Sequence, residues 1–178
     1  RQGLAEDHGK GIIIHNDAQH FSAGVDLNAF RAFIEAGDWD GIDRFLWRFQ
    51  DAVRKLKYTP VPVIGAPSGL AAGGGYEVLA HCDKLVVHTN SVMGLVEAGV
   101  GVVPGGGGIK ETYLRWSDAK GSWDDAAWQT WMNLGYGLTG SSPQLSARLQ
   151  YFRDGYDETI MNRDRLLPRA IALVGEMQ

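Results

Sequence analysis

Hydrophobic positions along the chain follow two rhythms. Ile12-Ile13-Ile14 and residues 61–66, a stretch punctuated by Pro60 and Pro62, are short unbroken apolar runs of the kind found in strands buried on both faces. Residues 84–88 and 91–95 read as strands as well. Between these runs Ile42, Phe45, Leu46, Phe49, Val53 and Leu56 recur at helical spacing, which predicts an amphipathic helix over residues 40–57. Helices are also expected over residues 28–36, 76–81 and 110–116. Short strands and helices thus alternate as far as Asp118, which predicts an α/β architecture.

Beyond that point the texture turns helical. Ser122 before Trp123-Asp124-Asp125, Ser142 before Pro143 and Asn162 before Arg163 are helix-start signals. The expected division is a core over residues 1–120 and a helical portion over 121–178, with the boundary near Gly121. Pro168 is expected to kink the last helix or to begin a second segment. Trp123, Trp128 and Trp131 read as core or interface residues. The helix that carries them has more apolar bulk than one buried stripe needs, so it is expected to meet another part of the protein or a second subunit.

Candidate chemistry gathers where strands give way to glycine turns. After residues 61–66 the chain reads Ala66-Pro67-Ser68-Gly69-Leu70-Ala71-Ala72-Gly73-Gly74-Gly75-Tyr76-Glu77, passing from turn to helix near Gly74. Consecutive glycines let a ligand approach the backbone closely, and a helix start leaves N–H groups free at the positive end of the peptide dipoles. A second strand–turn–helix passage, His20-Phe21-Ser22-Ala23-Gly24-Val25-Asp26-Leu27, follows Ile12-Ile13-Ile14. N–H groups from two such turns can grip one oxygen from two directions, which is the design of an oxyanion hole.

Two acids stand beside these turns. Glu77 sits in an early helical turn, where an acid favours the dipole, so alone it reads as a helix-start residue before a catalytic one. Glu97 lies among Met93, Leu95, Val96, Val100 and Val102, either exposed at a strand end or retained for chemistry. Together they form a pair suited to general acid–base work, and close carboxyl groups resist double ionisation, so their titrations are expected to be coupled.

Composition narrows the picture. The chain has 178 residues, enough for one domain with a proper core. Its 24 glycines, nearly twice the usual share of about 7%, are concentrated in the loops just named and speak for tight turns. A net charge of -4 and a pI near 5.7 offer no basic face for nucleic acid. The lone Cys82 has no partner for an internal disulfide and reads as a small buried hydrophobe. His8, His15, His20, His81 and His88 lack metal-ligand spacing, so no metal site is expected. With no apolar run of membrane-spanning length and no signal peptide, a soluble cytoplasmic protein is the expectation. Residues 105–110 fail as a phosphate loop because Ile109 interrupts the Gly-Lys pair, and residues 69–75 lack the dinucleotide fingerprint, so no NAD site is expected.

Four motifs in order, Phe21-Ser22-Ala23-Gly24-Val25-Asp26-Leu27, Gly73-Gly74-Gly75-Tyr76-Glu77, His81-Cys82-Asp83, and Gly94-Leu95-Val96-Glu97 running into Gly101-Val102-Val103-Pro104-Gly105-Gly106-Gly107-Gly108, resemble the crotonase (enoyl-CoA hydratase/isomerase) superfamily. The resemblance covers roughly residues 10–115. It implies an α/β fold built as a ββα superhelix with a C-terminal helical portion, and an acyl-CoA thioester as substrate, with CoA part of that substrate and no separate cofactor. It implies Glu77 and Glu97 as the catalytic pair of a hydratase, Val25 and Gly74 as the oxyanion donors, and Ala23, Asp26, Leu27, Gly73 and Gly105 as substrate contacts. By the same analogy Glu77 activates water and Glu97 protonates C2. The stretch Ile160-Met161-Asn162-Arg163-Asp164-Arg165-Leu166-Leu167 resembles the end of the hydratase domain in bacterial multifunctional fatty-oxidation proteins, where a 3-hydroxyacyl-CoA dehydrogenase is fused. A homo-oligomer or a fused dehydrogenase is therefore the expected partner. The chain starts at Arg1 and enters the resemblance at residue 11, so the core is expected to lack its opening strand and part of the CoA surface, leaving a sheet edge unpaired.

Three rivals stay open. An enoyl-CoA isomerase shares the oxyanion loops and needs one carboxylate, so the presence of two favours hydration. A non-catalytic acyl-CoA-binding or assembly module would not need either. A Clp-like serine protease shares the fold, but no His and Asp support Ser68 or Ser91 as a nucleophile.

Overall fold

The unbroken apolar runs become strands of a parallel sheet. The computed structural model describes residues 9–178; His8, and the start at Arg1 on which the expectation of an incomplete core rests, lie outside the described residues. In chain order the strands are β1 (Ile12–His15), β2 (Val63–Ala66), β3 (Leu70–Ala72), β4 (Lys84–His88), β5 (Val92–Gly94), β6 (Thr139–Gly140) and β7 (Glu158–Ile160). The helices are α1 (Leu27–Ala36), α2 (Trp39–Lys57), α3 (Gly74–Ala80), α4 (Gly108–Lys120), α5 (Trp123–Gly135), α6 (Pro143–Ala147) and α7 (Leu166–Glu176). One sheet has the order β1-β2-β4-β7, parallel throughout, with Ile12 opposite Val63 and Val86 opposite Glu158. The other is β3-β5-β6, parallel between β3 and β5 and antiparallel between β5 and β6.

The two sheets arise from one repeated climb. A strand in the first sheet, a tight turn, a strand in the second sheet and then a helix recur as β2–β3–α3. They recur again as β4–β5 followed by the 3-10 turn Glu97–Val100 and α4. The passage from β1 through Phe21-Ser22 to α1 repeats the pattern, because Ser22 bridges Ala71 in parallel and exchanges hydrogen bonds with β3. This is the expected ββα superhelix.

Both faces of the first sheet are covered, which explains its uninterrupted apolar sequence. Val63, Leu85 and Val87 point into a core shared with Tyr76, Leu79, Met93 and Leu95. Their neighbours Ile64, Ala66 and Val86 point the other way, against Leu166, Ala170, Leu173 and Val174, the last three on one side of α7. Each such large side chain contributes about 1.5–3 kcal/mol by leaving water.

The C-terminal portion holds more than helices. The strands β6 and β7 were not expected; each is two or three residues long and carries no apolar run, so its pairing partner defines it rather than its sequence. Ser122, Ser142 and Asn162 cap as expected, accepting from the N–H groups of Asp125, Leu145 and Asp164. Pro168 does not kink α7 but stands in its first turn, where backbone N–H groups need no partner, so the stretch after Asn162 divides into the 3-10 turn Arg163–Arg165 and α7 as a second segment. The reading of the tryptophans as core is corrected. α5 buries Ala126, Thr130 and Asn133, small enough to lie close along α4, while Trp123, Trp128 and Trp131 are 63%, 58% and 54% exposed.

Candidate active site

Two turns lie side by side because their strands do. Ser22 accepts from the Ala72 N–H and donates to the Leu70 carbonyl, so the chain at residues 22–25 leaves the sheet beside residues 72–74. Gly73, at φ +55° and ψ −129°, makes a turn that L side chains resist, and its N–H donates to Gly94 O at 2.9 Å. Gly24 turns at φ +101°, and a Cβ there would sit 3.4 Å from Gly74 N. The two backbones therefore touch. Among the described residues, no protein acceptor takes the N–H of Val25 or of Gly74. Both line a cavity of about 370 Å³, together with Ser22, Phe49 and Gly75.

Glu77 stands one turn into α3 and is 2% exposed. Its Oε1 accepts two backbone hydrogen bonds, from Gly106 N–H at 2.8 Å and Gly108 N–H at 2.9 Å. Burial raises its pKa, the charge of Glu97 adds to that, and the two N–H groups hold it back, leaving it at about 7. A buried carboxyl poised near neutrality is suited to exchanging protons.

Glu97 opens the 3-10 turn that ends β5 and is half-buried. Its Oε1 lies 3.1 Å from where a Gly73 Cβ would be, so the bare backbone of that glycine makes room for the carboxyl. Oε2 is buried without a protein partner. Burial raises this pKa too. A buried carboxylate oxygen left unmatched is costly unless something else fills its hydrogen-bonding capacity.

The structure brings Val25, Gly73, Gly74, Glu77 and Glu97 to one place. The remaining expected contacts are more dispersed. Ala23 is exposed, and Leu27 is 49% exposed at the start of α1. Asp26 caps that helix, its Oδ1 accepting from Asn28 N–H at 2.9 Å. Gly105 offers its carbonyl to Gln50 Nε2 at 2.7 Å and packs on Leu46. Among the described residues no three His, Cys, Asp or Glu side chains are grouped to hold a metal ion.

Several supports were missed from sequence. The Gly106 and Gly108 donors leave no side-chain signature; only the glycine run hints at them, since a Cβ on Gly106 would meet Glu77 Oε2 at 2.7 Å and Phe49 at 2.3 Å. Behind them His81 Nδ1 donates to the Glu77 carbonyl at 2.7 Å, and its ring faces Gly107. Burial lowers the His81 pKa and so favours the neutral ring. Glu111 lies 3.6 Å from His81 Nε2 and pairs with Lys57 at 2.5 Å, and with Lys110. Burial pushes the Glu111 pKa up, but the two lysines outweigh it and the carboxyl is held below its usual range. Lys57 ends α2, fifty-four residues earlier than Glu111, so this ion pair fastens α2 to α4. Cys82 is buried, and burial pushes its thiol up to about 12, in line with the packing role.

Comparison with known proteins gives the family and the fold. A sequence model of the enoyl-CoA hydratase/isomerase family matches residues 3–116. A probable 3-hydroxyacyl-CoA dehydrogenase of Bacillus subtilis (strain 168) is 30% identical over 168 residues, 94% of this chain and 21% of that protein. A mitochondrial methylglutaconyl-CoA hydratase of Mus musculus is 38% identical over 100 residues, 56% of this chain and 31% of that one. An enoyl-CoA hydratase structure from Bacillus anthracis shares the fold, with a TM-score of 0.78 at 20% identity, covering 99% of this chain and 61% of that one. The chain thus spans only a part of each of these relatives. Among the described residues no helix is long and apolar enough to cross a membrane.

Proposed function

The chain belongs to the enoyl-CoA hydratase/isomerase family, and we propose that it is a hydratase, adding water in syn fashion across the C2–C3 bond of a trans-2-enoyl-CoA to give a 3-hydroxyacyl-CoA. One observation carries the reading: two carboxyl groups, buried Glu77 and half-buried Glu97, both with raised pKa, stand beside the turn at Gly73, next to the unengaged N–H groups of Val25 and Gly74. An isomerase needs one such carboxyl; hydration uses two.

In this mechanism the thioester oxygen lies between the N–H groups of Val25 and Gly74. As the enolate forms, each donor stabilises its charge by roughly 2.7–4 kcal/mol. Glu77, fixed through Oε1 by Gly106 and Gly108, uses its other oxygen to take a proton from the water that attacks C3. Glu97 shares one proton with Glu77; burial favours its protonated form, and from that form it delivers a proton to C2. Its unmatched Oε2 is then where substrate or water completes the hydrogen bonding. Ala23, Gly73 and Gly105 remain proposed substrate contacts. Asp26, which caps α1, and Leu27 are likewise proposed substrate contacts. The product is the substrate of a 3-hydroxyacyl-CoA dehydrogenase, the activity in the description of the Bacillus subtilis relative. We therefore place the domain in fatty-acid β-oxidation beside such an enzyme, fused or separate.

The test is product analysis. Incubation with a trans-2-enoyl-CoA should yield the 3-hydroxyacyl-CoA, heavier by one water. Conversion of a 3-enoyl-CoA to the 2-enoyl isomer with no hydrated product would make it an isomerase, and neither reaction would leave a binding module.

A further inference from the structure

One buried imidazole lies behind the glycine loop and does not line the cavity at Val25 and Gly74. His81 caps α3 and is 3% exposed. In an uninterrupted helix its N–H would bond the Glu77 carbonyl four residues back, but here it turns to Val78 O at 3.2 Å. The side chain takes its place, Nδ1–H donating to the Glu77 carbonyl at 2.7 Å. A carbonyl oxygen only accepts, so this contact fixes a proton on Nδ1.

The opposite edge of the ring reaches the loop that grips Glu77. Gly107 turns at φ +98°, and a Cβ there would stand 3.1 Å from both Cε1 and Nε2, so ring and bare backbone pack directly. Gly107 lies between Gly106 and Gly108, whose N–H groups bind Glu77 Oε1. Beyond it, Nε2 faces Glu111 Oε1 at 3.6 Å. Glu111 is anchored by Lys57 from α2, by Lys110, and by its own N–H on Gly107 O at 3.2 Å. The ring is thus wedged between the backbone of Glu77 and the loop that holds its side chain, with an ion cluster closing the far side.

We propose that His81 is a positioning residue for Glu77: the Cε1–Nε2 edge of its ring props Gly107 so that the N–H groups of Gly106 and Gly108 stay aimed at Oε1. A residue that only fills the core would serve the fold alone. A prop of this kind also sets how readily Glu77 gives up its proton, because the two N–H groups favour its ionised form. The other charged groups that bear on this titration are Glu97 beside Glu77, and Glu111, Lys110 and Lys57 around His81. The proposal rests on the reading of Glu77 as the base, but its test does not need turnover.

Asparagine and glutamine divide the ring between them. The amide nitrogen of His81→Asn reaches the place of Nδ1 and keeps the Glu77 carbonyl bonded, but leaves Gly107 unsupported. That of His81→Gln reaches the place of Nε2 and keeps the prop. The titration of the Glu77 carboxyl, followed by carbon NMR of glutamate-labelled full chain and assigned with Glu77→Gln, should centre near 7 in the wild type. In His81→Asn it should rise by about one unit or more, since weakened bonds to a charged group disfavour ionisation; in His81→Gln it should stay within about half a unit of wild type. At neutral pH kcat for His81→Asn should fall at least about fivefold, with KM changed no more than a few-fold because Val25 and Gly74 are untouched. His81→Leu, which has neither nitrogen, should repeat the asparagine result and serves if His81→Asn disturbs folding.

A Glu77 titration unmoved in His81→Asn and His81→Leu, or moved as far in His81→Gln as in His81→Asn, overturns the proposal and leaves His81 a core residue. The expected titrations in a protein that hydrates no enoyl-CoA would sink the hydratase reading and leave the positioning role standing. Hydration by the wild type with the Glu77 titration unmoved in the variants does the reverse.

Discussion

Burial of Glu77 has two consequences that pull in opposite directions. For catalysis the carboxylate must be ionised to take a proton, so kcat/KM should rise with pH along a limb centred near 7, a limb shared with Glu97 because the two carboxyl groups interact. For stability the ionised form is the burden. The folded-state pKa of about 7 exceeds the ordinary 4.5, so the folded protein holds this proton more tightly than the unfolded chain. Stability from this group is full below about pH 4.5 and is lost as pH rises through 7. Glu77→Gln keeps an oxygen for the Gly106 and Gly108 N–H groups but cannot ionise. Its stability relative to wild type should therefore improve between pH 4.5 and 8, by up to about 3 kcal/mol on the scale of 1.36 kcal/mol per unit. Denaturant unfolding at the two pH values checks this; a constant difference would mean that the folded protein ionises Glu77 freely. The residues most legible in sequence were these two acids, because an acid inside a glycine-rich apolar stretch has few structural uses. Their partners were not legible, since backbone N–H groups at Gly106 and Gly108 look the same in any sequence.

At the scale of elements, the oxyanion account assigns work to backbone, and two substitutions separate backbone from side chain. Gly74 is the first residue of α3, a position where helices accept proline, so Gly74→Pro removes one N–H while the helix continues. Val25→Ala trims a side chain and keeps its N–H. The first should lower kcat by about two to three orders of magnitude and the second by no more than a few-fold. Equal losses would show that Val25 acts through its side chain. A further element-level dependence lies at Arg115 of α4, whose buried guanidinium donates to Tyr76 Oη at 2.9 Å, Ala80 O at 3.2 Å and Tyr151 O at 3.3 Å. It ties α4 to both ends of the helix that carries Glu77. Arg115→Met should destabilise the fold by roughly 3 kcal/mol in denaturant unfolding, because it leaves a phenol hydroxyl and two carbonyls without their donor. Helix starts were readable here through Ser122, Ser142 and Asn162, and strands through unbroken apolar runs. β6 and β7 were not, because strands this short exist only through their pairing with β5 and β4.

For the whole molecule, apolar runs, glycine turns and helical spacing disclosed an α/β alternation, and the family resemblance implied the ββα superhelix that the structure shows. The sequence did not disclose which side of α5 faces inward. That choice depends on packing against α4, where Ala126 and Thr130 fit and indole rings do not. The outcome is a surface bearing Trp123, Trp128, Trp131 and Tyr136, all more than half exposed, with Trp131 edge-on to Tyr136 at 6.1 Å. The contiguous aromatic run Trp128, Trp131 and Tyr136 is of the kind that marks a contact. Sedimentation should accordingly show concentration-dependent association, reduced by Trp128→Glu; a strictly monomeric species at all concentrations would refute a self-contact through this face. The most direct test of the central claim, that two carboxyl groups act on one enoyl thioester, is the kcat for hydration of an enoyl-CoA by Glu77→Gln and by Glu97→Gln, each confirmed folded. Each should fall by about 10²–10⁴-fold with KM changed only a few-fold. Near-wild-type hydration by either variant would contradict the account.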